Sequence, residues 1–406
     1  MLKHFLAVML LFVMGVSTYS QSIPTGTGRV AALGNSPFIL DAHMDIYNNP
    51  AWTNLYKNVA VADLTPETGA GFDGHAGVVF AVGKKLSLGF IVNKRSDSWE
   101  SFRDTTNTLL PGNVQSPIVP FMGLLGTSVS KNFHIGFAPY ITMWSSKTTS
   151  SDTLVGNNDA SSRSMGANLG FIYMIKKGWI EGNFTFRMNK YKNENTVGST
   201  TSTQENDGGI QFGANFRGWI YPTKGSKVAV VPVLGFNTFS FQPKSTAGST
   251  TITGLNYSWM NINGGVGLNW PIMDDIQIAG GVTASYNTAK ADSGNIEIKS
   301  TDFIAPNFNM AVETRIADWL TGRLGFSKGI NSESNKVTAG STTAEQTGLS
   351  VVNASSISLG AGFHFGRLSI DATISERWFK HGVNFLSGGD QEDMFGIISA
   401  SYNFAK

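Results

Sequence analysis

The stretch IQFGANFRGWI, residues 210–220, decides how this chain is read. Ile210, Phe212, Ala214, Phe216 and Ile220 fall on one parity; Gln211, Gly213, Asn215 and Arg217 fall on the other. Successive side chains of a strand point to opposite faces, so this alternation makes one apolar face and one polar face. GFIYMI (170–175), NFTFRMNKY (183–191), IQIAGGVTASY (276–286), ISLGAGFHF (357–365) and FGIISASYNF (395–404) follow the same rule. Beyond residue 56 there is almost no amphipathic-helix periodicity.

Extended along the chain, the pattern predicts sixteen strands. They lie near 57–64, 75–82, 86–95, 118–130, 132–144, 164–175, 178–191, 207–219, 227–241, 256–269, 275–289, 302–316, 319–329, 355–365, 367–378 and 394–404. The connections alternate in kind. Short turns such as GKK (83–85), KK (176–177) and AD (317–318) take turns with mostly long polar segments: 65–74, 96–117, 145–163, 192–206, 242–255, 290–301, 330–354 and 380–393. Short turns at one end and long loops at the other are the asymmetry of outer-membrane β-barrels. An even number of strands returns both ends of the barrel to the short-turn, periplasmic side.

Composition agrees. Charged residues make up 14% of the 406, well below the roughly 25% of soluble domains. Mean hydropathy is close to zero, as expected where residues alternate between lipid and water. Net charge is +2 with no basic run, which leaves no footprint for nucleic acid. Cysteine is absent, excluding disulfides, thiolate metal sites, a cysteine nucleophile and a lipid-anchored cysteine. At the N-terminus, Lys3 and His4 precede the apolar run FLAVMLLFVMGV (5–16) and the small, polar STYS (17–20). That run is too short to cross a bilayer and has the form of a secretory signal cleaved near Ser20. Of nine Trp, Trp179, Trp219, Trp270 and Trp319 lie beside short turns, while Trp99, Trp144, Trp259 and Trp378 lie near the long loops. The expectation is two interfacial girdles. A secreted β-sandwich is the competing fold, disfavoured because no linker divides the chain.

The chemistry for catalysis is missing from the pattern. The six histidines (His4, His43, His75, His134, His364 and His381) show no metal-ligand spacing. His134 and His364 point inward by parity and read as lumen-lining residues rather than bases. Glycine clusters such as GGVGLNW lie inside strands, where they permit close backbone approach, and open no helix onto a phosphate. Glu181, Arg187, Arg217, Glu313, Arg315, Arg323, Asp371 and Arg377 carry charge at inward parity. Their mixed signs fit a knitted lumen better than a selective constriction. Glu313 and Arg323 flank the turn at 317–318 and are expected to face one another. The chain is therefore read as non-enzymatic, with no cofactor and no metal.

Residues 21–56 precede the first strand and contain GRVAALGNSPFILDAHMDIYNNPAWTNLY. Ala31, Ala32, Leu33 and Gly34, then Asp41 and Ala42, then Asn49, Pro50 and Ala51 resemble the N-terminal signature of the long-chain fatty-acid transporter superfamily (FadL/TodX-like), most closely its PorV-like branch. The resemblance implies an N-terminal hatch folded into the barrel with the NPA turn near the lumen. Two features depart from it: Trp52 stands where Gly is usual, and sixteen strands are predicted where fourteen are common. Pro50 fixes its own φ and pushes Asn49 to an extended backbone, and Asn48 and Asn49 can tie the turn through their side chains. Trp52 offers an apolar anchor with one donor. The alternative reading of the segment is an ordinary polar turn.

The sequence thus predicts an all-β, transmembrane antiparallel up-and-down β-barrel of 14–16 strands, sixteen by count. Residues 1–20 form the signal peptide, 21–56 the hatch and 57–406 the barrel in the outer-membrane lipid bilayer. The resemblance implies passive transport of a hydrophobic small-molecule ligand, with Asn48, Asn49, Pro50, Ala51 and Trp52 in gating. A PorV-like barrel that binds a protein partner is the alternative, and a general porin the third.

Overall fold

The computed structural model describes residues 28–66, 72–93, 120–149, 156–351, 356–374 and 395–404. The expected signal peptide, Trp99, Arg377 and Trp378 lie outside them. Two short α-helices open the described chain: α1 (Gly28–Ala32) and α2 (Ala42–Asn48), followed by a 3-10 turn (Pro50–Asn54). The strands follow as β1 (Val59–Pro66), β2 (Phe72–Val82), β3 (Leu86–Val92), β4 (Phe121–Ser128), β5 (Phe133–Thr148), β6 (Asn157–Ile175), β7 (Gly178–Val197) and β8 (Thr200–Ile220). Then come β9 (Ala229–Ala247), β10 (Thr250–Thr253 with Asn256–Met273), β11 (Ile276–Asp292), β12 (Ile296–Ala317) and β13 (Leu320–Ala339). The last are β14 (Thr342–Val351 with Ser356–Phe365), β15 (Leu368–Ile374) and β16 (Phe395–Asn403). Both pieces of β10 pair with β9 and both pieces of β14 pair with β13, so each is one interrupted stave.

Every strand pairs antiparallel with its neighbours in sequence, and β1 pairs with β16 from Val59↔Asn403 to Leu64↔Ile398. The sheet is a closed barrel of sixteen staves, as the alternation predicts. Closure leaves no unpaired edge, which is what a sheet crossing lipid requires. Large apolar side chains face outward: Leu64, Phe80, Phe137, Leu169, Leu234 and Leu268 are 43–56% exposed, an area that water would penalise and lipid would not. The opposite parity is polar, with Asn168, Asn183, Asn189, Asn269, Asn287 and Asn309 all buried.

The strand ends differ from expectation. The sequence pattern predicts loops at 192–206, 242–255, 290–301 and 330–354, but the strands continue through these segments or much of them into tight hairpins, and in 145–163 strand runs on to Thr148 and resumes at Asn157. Three hairpins share a Gly-Ser tip: Gly198, Gly248 and Gly340 take φ of 61°, 59° and 59°. Positive φ at the first of two loop residues is the requirement of a type II′ hairpin, and Gly meets it without a Cβ clash. Above the membrane both strand faces meet water, so Ser, Thr and Asn occupy both parities and the alternation that marks a strand disappears. Strands β5–β9 run 16–21 residues, well past the length needed to cross lipid.

Among the described tryptophans, not all lie on the face a girdle requires. Trp270 and Trp319 are 47% and 52% exposed on the outside, as a girdle requires. Trp219 is only 3% exposed and stacks face to face on Trp179 inside the ring, 5.4 Å between centroids. Trp259 is likewise drawn into an inward aromatic cluster. These rings fill space against the N-terminal segment and the lumen wall, which strand position alone does not reveal.

Candidate functional site

The N-terminal segment supplies much of the apolar core. Ile46, Tyr47, Ala51 and Trp52 pack with Leu124, Ala138, Tyr140 and Ile172 of the wall. Leu33, Phe38 and Ile39 pack with Trp219, Val231, Ala279 and Ala311. Phe38 is fully buried, worth ~1.5–3 kcal/mol for a side chain of its size.

Asp41 starts α2 as its N-cap, accepting from the backbone N–H groups of His43 and Met44 at 3.1 Å. Asn49 ends it in an extended conformation, φ −141° and ψ 103°, as a residue before proline must. The Asn49 side-chain oxygen accepts from the Ala51 N–H at 3.1 Å and so caps the 3-10 turn. The turn rests on a row of wall glycines. Gly126, Gly136 and Gly170 are register neighbours across β4, β5 and β6, and a Cβ on them would strike Thr53, the Pro50–Ala51 backbone and the Asn49 side chain respectively. Beside that row Asn183 of β7 donates to the Asn48 carbonyl. Further round, Gly267 and Gly281 form a saddle under the Phe38 ring. These are the close approaches for which strand glycines are suited.

Charge fastens the segment at two places. Glu181 of β7 accepts from Trp52 Nε1, from Asn49 Nδ2 at 3.1 Å and from Arg217 Nε at 2.6 Å. Arg217 of β8 also donates to Asp45 Oδ1 at 2.6 Å and to the Ile39 carbonyl at 3.1 Å. Burial pushes the Asp45 carboxyl up to about 7, against the pull of Arg217 and with the Glu181 charge adding to the push. At the second place Arg29 of α1 grips Glu313 of β12 through Nε and an NH2 nitrogen at 2.9 and 3.0 Å, and also donates to the Leu40 carbonyl at 2.6 Å. Arg323 of β13 reaches the same Glu313 at 2.6 Å and Asp371 of β15 at 2.7 Å. Burial lowers the Arg29 pKa, but Glu313 and Asp41 outweigh it, and the net shift is upward.

Neither a family model nor a curated protein matches the sequence. Solved structures similar to this chain include the toluene transporter TodX of Pseudomonas putida, at 9% identity and a TM-score of 0.39, covering 93% of this chain and 98% of that one. A FadL homologue of Pseudomonas aeruginosa matches at 12% identity and a TM-score of 0.42, covering 94% and 98%. The ferric yersiniabactin uptake receptor FyuA of Yersinia pestis matches at 7% identity and 0.37, covering 84% and 79%.

The inward charges thus divide by place. Glu181 meets the NPA turn and Arg217 meets Asp45 of α2, while Glu313 holds Arg29 of α1 and Arg323 ties Glu313 to Asp371. Glu313 and Arg323 are direct register partners. Arg187 is buried with its guanidinium 4.3 Å over the Tyr140 ring. Arg315 is exposed at the short-turn end, 3.4 Å from Asp275. His134 Nδ1 lies 2.9 Å from Ser128 Oγ, and His364 bridges Thr321 and Ser369 at 3.0 and 3.1 Å. Among the described residues no carboxylate forms an ion pair with His134, so the Ser128–His134 contact lacks the third group that orients a catalytic base. Sequence reading missed Arg29, Asp45 and Asn183 as anchors. Their partners lie 284, 172 and 135 residues away, beyond any local pattern.

Proposed function

We propose that the protein is an outer-membrane channel for passive passage of hydrophobic small molecules, with the N-terminal segment as its gate. The observation that carries this reading is the seating of residues 28–58. The segment packs against staves all round the ring, β1, β2 and β9 included, and it is held by side-chain bonds rather than by strand pairing. Such an insert can shift without breaking the barrel's hydrogen-bond ladder. Toward the long-hairpin end, Tyr191, Phe239, Phe241, Tyr257 and Trp259 form an inward aromatic cluster, a surface suited to capturing an apolar solute before it meets the gate. In this scheme Asn48, Asn49, Pro50, Ala51 and Trp52 form the moving element and Glu181 is the catch that holds it. The steps need binding and displacement only, with no covalent chemistry.

Planar-bilayer conductance tests the gate. The mature protein is expected to be nearly silent and a variant lacking residues 21–56 to conduct steadily. Equal conductance of the two sinks the gate and leaves an open porin. Liposome entry of toluene against a sugar of similar size tests the solute class, with the aromatic solute expected to enter faster; no preference overturns that part.

A further inference from the structure

We propose that His43, Asp63 and His75 form a binding site for a divalent transition-metal ion, Zn2+ foremost, which ties α2 to the wall beside the closing seam of the barrel. The three residues belong to three elements. Asp63 of β1 and His75 of β2 are register partners, and α2 lays His43 over them. His43 Nδ1 stands 3.5 Å from one Asp63 carboxylate oxygen, and His75 Nε2 stands 3.1 Å from the other. All three ligand atoms fall within 4.8 Å of one another. Bonds of about 2.0–2.2 Å place the ligands of a tetrahedral zinc ion roughly 3.4 Å apart. Each imidazole nitrogen already stands at about that distance from one oxygen of the carboxylate, and side-chain shifts of roughly 1–1.5 Å bring three ligand atoms to it together.

Asp63 decides the matter. Its side chain is fully buried, and neither carboxylate oxygen accepts a hydrogen bond from the described residues. A buried carboxylate without a donor is costly and calls for a counter-charge. Elsewhere the carboxylates that hold the segment face an arginine: Asp45 and Glu181 face Arg217, while Glu313 faces Arg29 and Arg323. Asp63 faces two imidazoles instead. Two nitrogens and one carboxylate oxygen form the ligand set of a borderline ion such as Zn2+, with a further position for water. The Tyr47 ring packs against both imidazoles, 4.8 Å from the His43 ring and 5.1 Å from the His75 ring. His43 and His75 are 32 residues apart, with Asp63 between, so no ligand motif is visible in the sequence. The inference is independent of transport, because it concerns where the segment is fixed and not what passes it.

The test uses the full-length folded barrel in detergent, prepared without a polyhistidine tag, stripped with EDTA, reloaded with Zn2+ and dialysed. Elemental analysis is expected to find one zinc per chain in the wild type. His75→Ala and Asp63→Asn should bind at least about a hundredfold more weakly, since even losing a group that only supports a ligand costs ten- to a hundredfold. Zinc should also raise the temperature at which the wild-type barrel unfolds on a gel, EDTA should reverse the rise, and His75→Ala should show neither effect. Should the variants fail to fold, Co2+ loading of the wild type gives a second reading: an intense visible band of a four-coordinate N/O site is expected. Absence of retained zinc, equal retention by His75→Ala, or only the weak band of hydrated cobalt overturns the proposal.

Discussion

Glu181 accepts from three donors at once, two on the N-terminal segment and one on the wall, so it is the residue whose loss is felt most. Glu181→Gln removes one of the two carboxylates that face the part-buried Arg217; a buried pair broken outright costs about 3–5 kcal/mol, and with Asp45 remaining the loss falls below that. A lower unfolding temperature on gels, together with brief conductance openings, is the expected outcome; wild-type behaviour in both would show that Arg217 finds sufficient support in Asp45 alone. Gly136 offers a cleaner lever. A Cβ there meets the Pro50–Ala51 backbone, which cannot yield without moving the turn, whereas a Cβ on Gly264 meets only a Leu234 methyl and the Val233 carbonyl at 3.6 Å. Gly136→Ala is expected to expose the segment to protease while Gly264→Ala is not; equal protection in both would place the turn elsewhere. At this scale the sequence was legible where chemistry is local. The extended Asn49, its capping of Ala51 and the donor of Trp52 follow from residue type, but the identity of the acceptor across the barrel does not.

Among elements, hairpins and charge pairs show where local reading stops. The register pairing of Glu313 with Arg323 was readable from the short turn between them, but the arrival of Arg29 at the same carboxylate was not. From the pair alone, exchanging the two charges should restore what a single reversal loses. The structure gives the opposite expectation. The Glu313→Arg, Arg323→Glu double variant sets like charge against Arg29 at one end and against Asp371 at the other, so heat resistance should remain close to that of the single variants. Substantial recovery would mean that Arg29 is not held there. The polar extensions were missed because strands wet on both faces carry no alternation. Their glycine tips make them testable: a non-glycine residue at positive φ costs roughly 1–2 kcal/mol. Gly248→Ala should speed amide exchange in residues 242–255 and leave the barrel's unfolding temperature unchanged. If exchange there is already fast in the wild type, the segment is a loop after all.

Over the whole molecule, the closed sheet was legible because lipid imposes its period on every crossing strand, and an even count follows from the two kinds of connection. The inward tryptophans were not, since the face they take depends on what packs inside the ring. What fills it lies ahead of β1 in the chain yet touches the last staves: α1 rests on β13–β16, its first N–H donates to Ser399 of β16, and the 3-10 turn rests on β3–β6. Ser399 and Asp63 face one another across the seam where β16 meets β1. The earliest folded stretch therefore has half its seats among the last strands to be made. A chain that stops before β12 would lack the seats of α1, and a sheet that closed without the segment would enclose glycines and charges that the segment otherwise covers.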